Sequence, residues 1–269
     1  MKKLMLLLAI VAMASYTWAQ TNGQSSSHET TTTRTTTVHK SAQSGEDQNT
    51  GQTVTGKKTV NRNKADDRLQ NAAQVLQQVM GTPDKGIPEE ILKSAKCIAI
   101  VPHMLKGGFI FGAENGKGVA TCRLPNGGWS APAFFAITGG SWGLQIGAEG
   151  VDLVMMIMND KGMQKMLDSK FRIGAQASAA AGPVGRHASA GTDYKLDTEM
   201  LTYSRAKGAF AGATLEGSDI RPDKDSTLAI YGRDYTPRAI LTGKVRPPAA
   251  ARSFLAAVRG AKVQAKNKS

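Results

Sequence analysis

Cysteine is nearly absent: Cys97 and Cys122 are the only two in 269 residues. That scarcity excludes a disulfide-dense scaffold and a four-cysteine zinc module. With His103 they would offer three metal ligands where a structural zinc site wants four, so no metal or cofactor is expected. In an exported chain the two cysteines are either a disulfide or a pair of buried thiols. Long apolar runs are missing as well. The stretch 4–14 is too short to cross a bilayer comfortably. No βαβ rhythm is present, which argues against a doubly wound nucleotide-binding fold. Gly107-Gly108 and Gly116-x-Gly118 lack the P-loop lysine pattern, so no phosphate cradle is indicated. No zinc finger, helix-turn-helix or RNP-type aromatic motif marks a nucleic-acid reader.

Acid is also short: 21 Asp+Glu face 34 Lys+Arg, a net charge of +13. The excess is unevenly placed. Residues 65–232 hold 17 charges of each sign, whereas 233–269 hold nine Lys+Arg against the single acid Asp234. A neutral body with a basic C-terminus fits an anionic membrane face better than nucleic acid. A solvated, solubilising tail is the plain alternative.

What is present reads in order along the chain. Lys2-Lys3, the apolar run and Thr17-Trp18-Ala19 form an export signal over residues 1–19, ahead of Gln20. No cysteine lies near that cleavage site, which excludes a lipid-modified N-terminus. The expected location is exported, periplasmic and peripheral at a membrane. Residues 20–64 are rich in Thr, Ser, Gln and Asn and read as a disordered linker. Leu69, Ala72, Ala73, Leu76, Val79 and Met80 then recur at helical spacing up to Gly81, and Pro88-Glu89-Glu90 opens a second short helix.

From there the period falls to two. Strands are expected at 97–101, 108–113, 119–123 and 131–137, with turns at Asn115-Gly116 and Asn126-Gly127-Gly128. Residues 151–158 form a continuous apolar strand, and Asn159-Asp160 caps a short helix. Alternation over 171–179 predicts a half-buried strand, followed through Gly182-Pro183 by a partner over 188–190. Further strands are expected at 209–215 and 228–231, and a final helix over about 249–259. These elements make a single α+β domain over 65–260, with Gly-rich, mostly antiparallel strands and helices at both ends, then a basic tail over 261–269. Gly139-Gly140-Ser141-Trp142-Gly143 matches the nucleophile-elbow motif. That motif needs a helix after the serine, and Leu144-Gln145-Ile146-Gly147 reads as strand, so a hydrolase using Ser141 is the weakest reading.

Several motifs taken together resemble the SYLF domain family. They are Ala95-Lys96-Cys97-Ile98-Ala99-Ile100-Val101-Pro102, Gly116-Lys117-Gly118-Val119-Ala120 ending at Arg123, and Trp129-Ser130-Ala131-Pro132. Gln145-Ile146-Gly147, Ala181-Gly182-Pro183-Val184-Gly185-Arg186, Tyr203-Ser204-Arg205-Ala206-Lys207-Gly208 and Leu215-Glu216-Gly217-Ser218 complete the set. The resemblance implies a non-enzymatic domain that binds anionic lipid headgroups, phosphoinositides among them, with eukaryotic relatives linked to actin. Actin is not expected as a partner outside a bacterial cytoplasm, and phosphatidylglycerol or cardiolipin would suit that compartment better. The resemblance also implies a basic N-terminal membrane helix. Here the helix reads as opening on Ala65-Asp66-Asp67-Arg68, acids where bases would be wanted. Two groups of residues are candidates for lipid contact. Arg123, Arg186, Arg205 and Lys207 lie in the family-like motifs, and Arg246, Arg252, Arg259 and Lys262 flank the C-terminal helix. The first group has a structural alternative, pairing with the acids of the body.

Overall fold

The chain divides into residues 1–46 and 47–269. The computed structural model describes residues 50–81, 86–108, 111–142, 147–183, 198–206, 209–212 and 215–266, all in the second unit. Residues 1–19, expected to be an export signal, and residues 20–49 of the expected linker lie outside the described residues.

Among the described residues nine strands form one sheet: β1 (Cys97–Gly108), β2 (Phe111–Cys122), β3 (Ala133–Trp142), β4 (Gly147–Ile157), β5 (Phe171–Arg172), β6 (Ala179–Ala181), β7 (Met200–Ala206), β8 (Ala209–Gly212) and β9 (Asp219–Pro222). Their order is β5-β9-β3-β2-β1-β4-β7-β6, with β8 also on β7. Every pairing is antiparallel except β6 with β7. The α-helices among the described residues are α1 (Thr50–Gly81), α2 (Glu89–Ser94), α3 (Asp160–Leu167), α4 (Lys224–Tyr231), α5 (Pro237–Leu241) and α6 (Arg252–Lys266). The fold is thus α+β, with helices at both ends of a mainly antiparallel sheet.

Both sheet faces are buried. Ile98, Ile100, Val154 and Met156 join Leu69, Leu76, Phe254 and Val258 of α1 and α6 in one core. Ala99, Val101, Leu153 and Met155 point the other way, into a second core with Met166, Leu167, Ile240 and Leu241. Alternate side chains enter opposite cores, so β1 and β4 read as unbroken apolar runs. Cys97 and Cys122 face each other in the β1–β2 register and are joined as a disulfide. Among the described residues no helix is long and apolar enough to cross a membrane.

Four expectations need correction. Asn115-Gly116 is no turn, because β2 runs straight through it. Gly116 is there because β1 bulges opposite, where the register slips after Ile100 and His103 sits at φ 51°. A Cβ at Gly116 would stand 2.5 Å from Val101 Cγ1. The alternation over 171–179 is also not one strand. Gly174, at φ 88°, turns the chain after β5, leaving only an Ile173–Ala177 bridge before β6. Residues 228–231 belong to α4 rather than a strand. Asp223 caps that helix by accepting from the Ser226 amide, and this local start signal outweighs the β-like run Leu-Ala-Ile-Tyr. Finally, α1 begins at Thr50, so residues 50–64 extend the helix upstream of Ala65 instead of belonging to a coil. That added segment carries Lys57, Lys58, Arg62 and Lys64 and no acid. The expected strand over 188–190 lies outside the described residues.

Candidate functional site

The family-like arginines are occupied internally. Arg123 follows β2, and its guanidinium reaches the end of α2. Nε donates to the Ala95 carbonyl at 2.9 Å and Nη2 to the Leu92 carbonyl at 2.9 Å. The same group lies 4.5 Å from the Trp129 ring centroid, so it both ties off orphan helix carbonyls and packs on an aromatic face. Burial lowers its pKa from the ordinary arginine value. Arg205 of β7 is register partner to Asp152 of β4. Nε and Nη2 donate to Asp152 Oδ2 at 3.1 and 2.7 Å. Asp152 Oδ1 in turn accepts the His103 amide at 3.0 Å, which fixes the β1 bulge. The carboxylate is buried, so Arg205 answers a charge the fold has already taken out of water. Arg186 and Lys207 lie outside the described residues.

A third node escaped sequence reading. Asp223, between β9 and α4, is buried and gathers two cations on one oxygen. Arg68 Nη1 of α1 stands 3.0 Å from Asp223 Oδ2, and Lys117 Nζ of β2 stands 2.9 Å from it. Ser226 Oγ adds a hydrogen bond at 2.7 Å. Burial alone would raise the Asp223 pKa. The Lys117 and Ser226 hydrogen bonds and the charges of Lys117 and Arg68 outweigh it, and the carboxyl sits below its ordinary value. Pro222-Asp223 followed by Ser226 carried a capping signal. The partnership with Arg68, 155 residues away, has no local trace in the sequence.

The C-terminal cations are placed differently. Phe254, Leu255 and Val258 of α6 are buried against α1 and the sheet. Burying such a side chain contributes roughly 2 kcal/mol, which holds the helix on the domain instead of releasing it into lipid. That leaves Arg252, Ala256 and Arg259 on the outer stripe at helical spacing, all exposed. Arg246, in the loop before the helix, is exposed too. None of these three arginines has an acidic partner among the described residues. Lys262 continues α6, with its side chain outside the described set. Arg252 and Arg259, about two helical turns apart and facing solvent, with exposed Arg246 in the preceding loop, are positive charges able to meet several anions.

Ser141 lies within the β3 ladder opposite Gly112, and the strand continues through Trp142. A nucleophile elbow would turn sharply at the serine. Cys97 and Cys122 are bonded to each other, so neither is available as a metal ligand.

Comparison with known proteins places this arrangement. The family model described as Ysc84, Las17-binding protein actin regulator, matches residues 138–261. LAS seventeen-binding protein 3 of Saccharomyces cerevisiae is 36% identical over 176 residues, covering 64% of this chain and 38% of that protein. Protein YSC84 of the same yeast is 36% identical over 181 residues, covering 66% of this chain and 38% of its own length. The human SH3 domain-containing YSC84-like protein 1 is 34% identical over 170 residues, or 63% of this chain and 49% of that protein. The chain thus spans about half or less of the length of these relatives. The family description and the first relative's name speak of binding and regulation, not catalysis. Over residues 138–261, less than half of its length, the chain is thus similar to the Ysc84 (SYLF) family.

Proposed function

We propose that this domain is a non-enzymatic module that binds anionic phospholipid headgroups at a membrane surface through its C-terminal helix. The observation that carries the reading is the contrast between paired and unpaired arginines. Arg123 and Arg205 are consumed by the fold, whereas Arg246, Arg252 and Arg259 face solvent with no acid beside them among the described residues. Each cation near an acidic bilayer contributes about 1 kcal/mol, so three give about 3 kcal/mol of attraction. Because the groups are exposed, salt weakens the association over a Debye length of about 8 Å at physiological strength. The basic start, short apolar run and small-x-small site within residues 1–19 support export, and phosphatidylglycerol or cardiolipin would be the ligand there. A mature N-terminus at Gln20, read by mass spectrometry of the secreted fraction, tests that address.

Co-sedimentation with vesicles of phosphatidylglycerol, against vesicles of phosphatidylcholine, tests the function. Binding to the acidic vesicles alone, weakening as salt rises, is expected. Equal recovery with both, or with neither, contradicts it.

A second reading is favoured by the family description and the name of one yeast relative, which describe binding to a protein. In that reading the domain is a scaffold whose linker over residues 20–49 reaches a protein partner. A pull-down that requires the linker and ignores lipid supports it.

A further inference from the structure

A separate groove of about 360 Å³ opens where α1 passes over the bulged end of β1 and the adjoining part of β2. Lys64, Arg68 and Asn71 of α1 form one wall, and His103, Leu105 and Lys117 of the sheet form the other. Three observations give this groove a chemistry. The first is an excess of cations. Arg68 and Lys117 share the single carboxylate oxygen Asp223 Oδ2, and Lys64 adds a third positive charge against Asp67 on the same wall.

The second is that Lys117 can be released. Its side chain is half exposed, at 50%. Asp223 keeps Arg68, the Ser226 hydroxyl and the Ser226 amide whether or not Lys117 stays, so the buried carboxylate is never stranded. The third is an apolar rim. Leu105 is 63% exposed, the most exposed large apolar side chain among the described residues, and its register partner across the β1–β2 ladder is exposed Asn115. Upstream of Lys64, the sequence of α1 holds Arg62, Lys58 and Lys57 and no acid back to Thr50.

From these placements we infer that the groove docks an acidic, extended segment of a protein partner. Carboxylates of that segment pair with Lys64 and Lys117, and a small apolar residue lies on Leu105. Charge complementarity favours a peptide with carboxylates at alternate positions. This surface is distinct from the α6 stripe and does not depend on lipid.

The test uses the full chain and a fluorescein-labelled alternating Glu-Ala decapeptide at low salt, followed by anisotropy. Saturable binding is expected, with about a tenfold loss on Lys64→Glu combined with Lys117→Met, and a smaller loss on Leu105→Ser. Lys64 is exposed and methionine keeps the Lys117 stem, so both substitutions leave the Asp223–Arg68 pair in place. Arg252→Glu with Arg259→Glu should leave peptide affinity unchanged. No saturable binding, or equal affinity in the Lys64/Lys117 variant, overturns the inference. So does loss of acidic-vesicle binding in that variant with peptide affinity intact, which would assign the groove to the membrane.

Discussion

The sheet body and the C-terminal helix hold the same kind of cation and use it in opposite ways. In the body, Arg123 closes the end of α2, Arg205 neutralises Asp152, and Arg68 neutralises Asp223. In each case the partner is buried or nearly so, and the fold would leave an uncompensated group if the cation were lost. On α6, Arg252 and Arg259 stand over a helix whose opposite side is already anchored by Phe254 and Val258. No acid among the described residues pairs with either charge. A cation that the fold does not need is one that a ligand can use.

The sharpest way to break this contrast is at Asp223. Asp223→Ala removes the α4 cap and leaves Arg68 buried without its carboxylate. A loss of about 3–4 kcal/mol in denaturant unfolding is expected. The disulfide comes next. It spans 25 residues between neighbouring strands, and replacing both cysteines by alanine should cost about 3 kcal/mol of unfolding free energy, read from denaturant unfolding. Arg205→Ala leaves Asp152 with the His103 amide but without its main countercharge, and a loss of about 2 kcal/mol follows. At the other end of the scale, Arg252→Glu with Arg259→Glu should move stability by no more than about 0.5 kcal/mol, because both side chains are exposed. If that variant unfolds as readily as Asp223→Ala, the distinction between the two regions collapses.

Acid gives a second handle on the body. The Asp223 pKa is lower folded than unfolded, so its contribution is fully present above the ordinary carboxylate pKa. It is lost as pH falls through the lowered folded value. Asp223→Asn should therefore show a shallower loss of stability below about pH 4 than the parent chain. Matching acid-unfolding slopes in the two proteins would contradict the pairing.

The fold class was legible because its signals are local. The α1 heptad-like spacing from Leu69 to Met80, the Asn159 cap of α3 and the apolar run of β4 all declare themselves within a few residues. The misreadings share a cause. Asn115-Gly116 looks like a turn only if the bulge at His103 on the neighbouring strand is unknown, and α4 looks like a strand unless the Asp223–Ser226 cap is weighed above its apolar residues. The helical extension back to Thr50 carries exposed polar side chains at Thr59, Arg62, Asn63 and Lys64, so no apolar stripe announces it. At the candidate site, the exposed α6 stripe followed from periodicity alone. Whether Arg123 and Arg205 were structural could not, because their partners lie 28 and 53 residues away in sequence.

The most direct test of the central claim is vesicle affinity with Arg246, Arg252 and Arg259 all changed to Glu, measured on acidic vesicles beside an unfolding curve from the same sample. The predicted result is a fall in affinity of at least about a hundredfold, from losing about 3 kcal/mol of attraction, with an unfolding midpoint close to that of the parent chain. Undiminished binding to acidic vesicles by this folded variant would contradict the account.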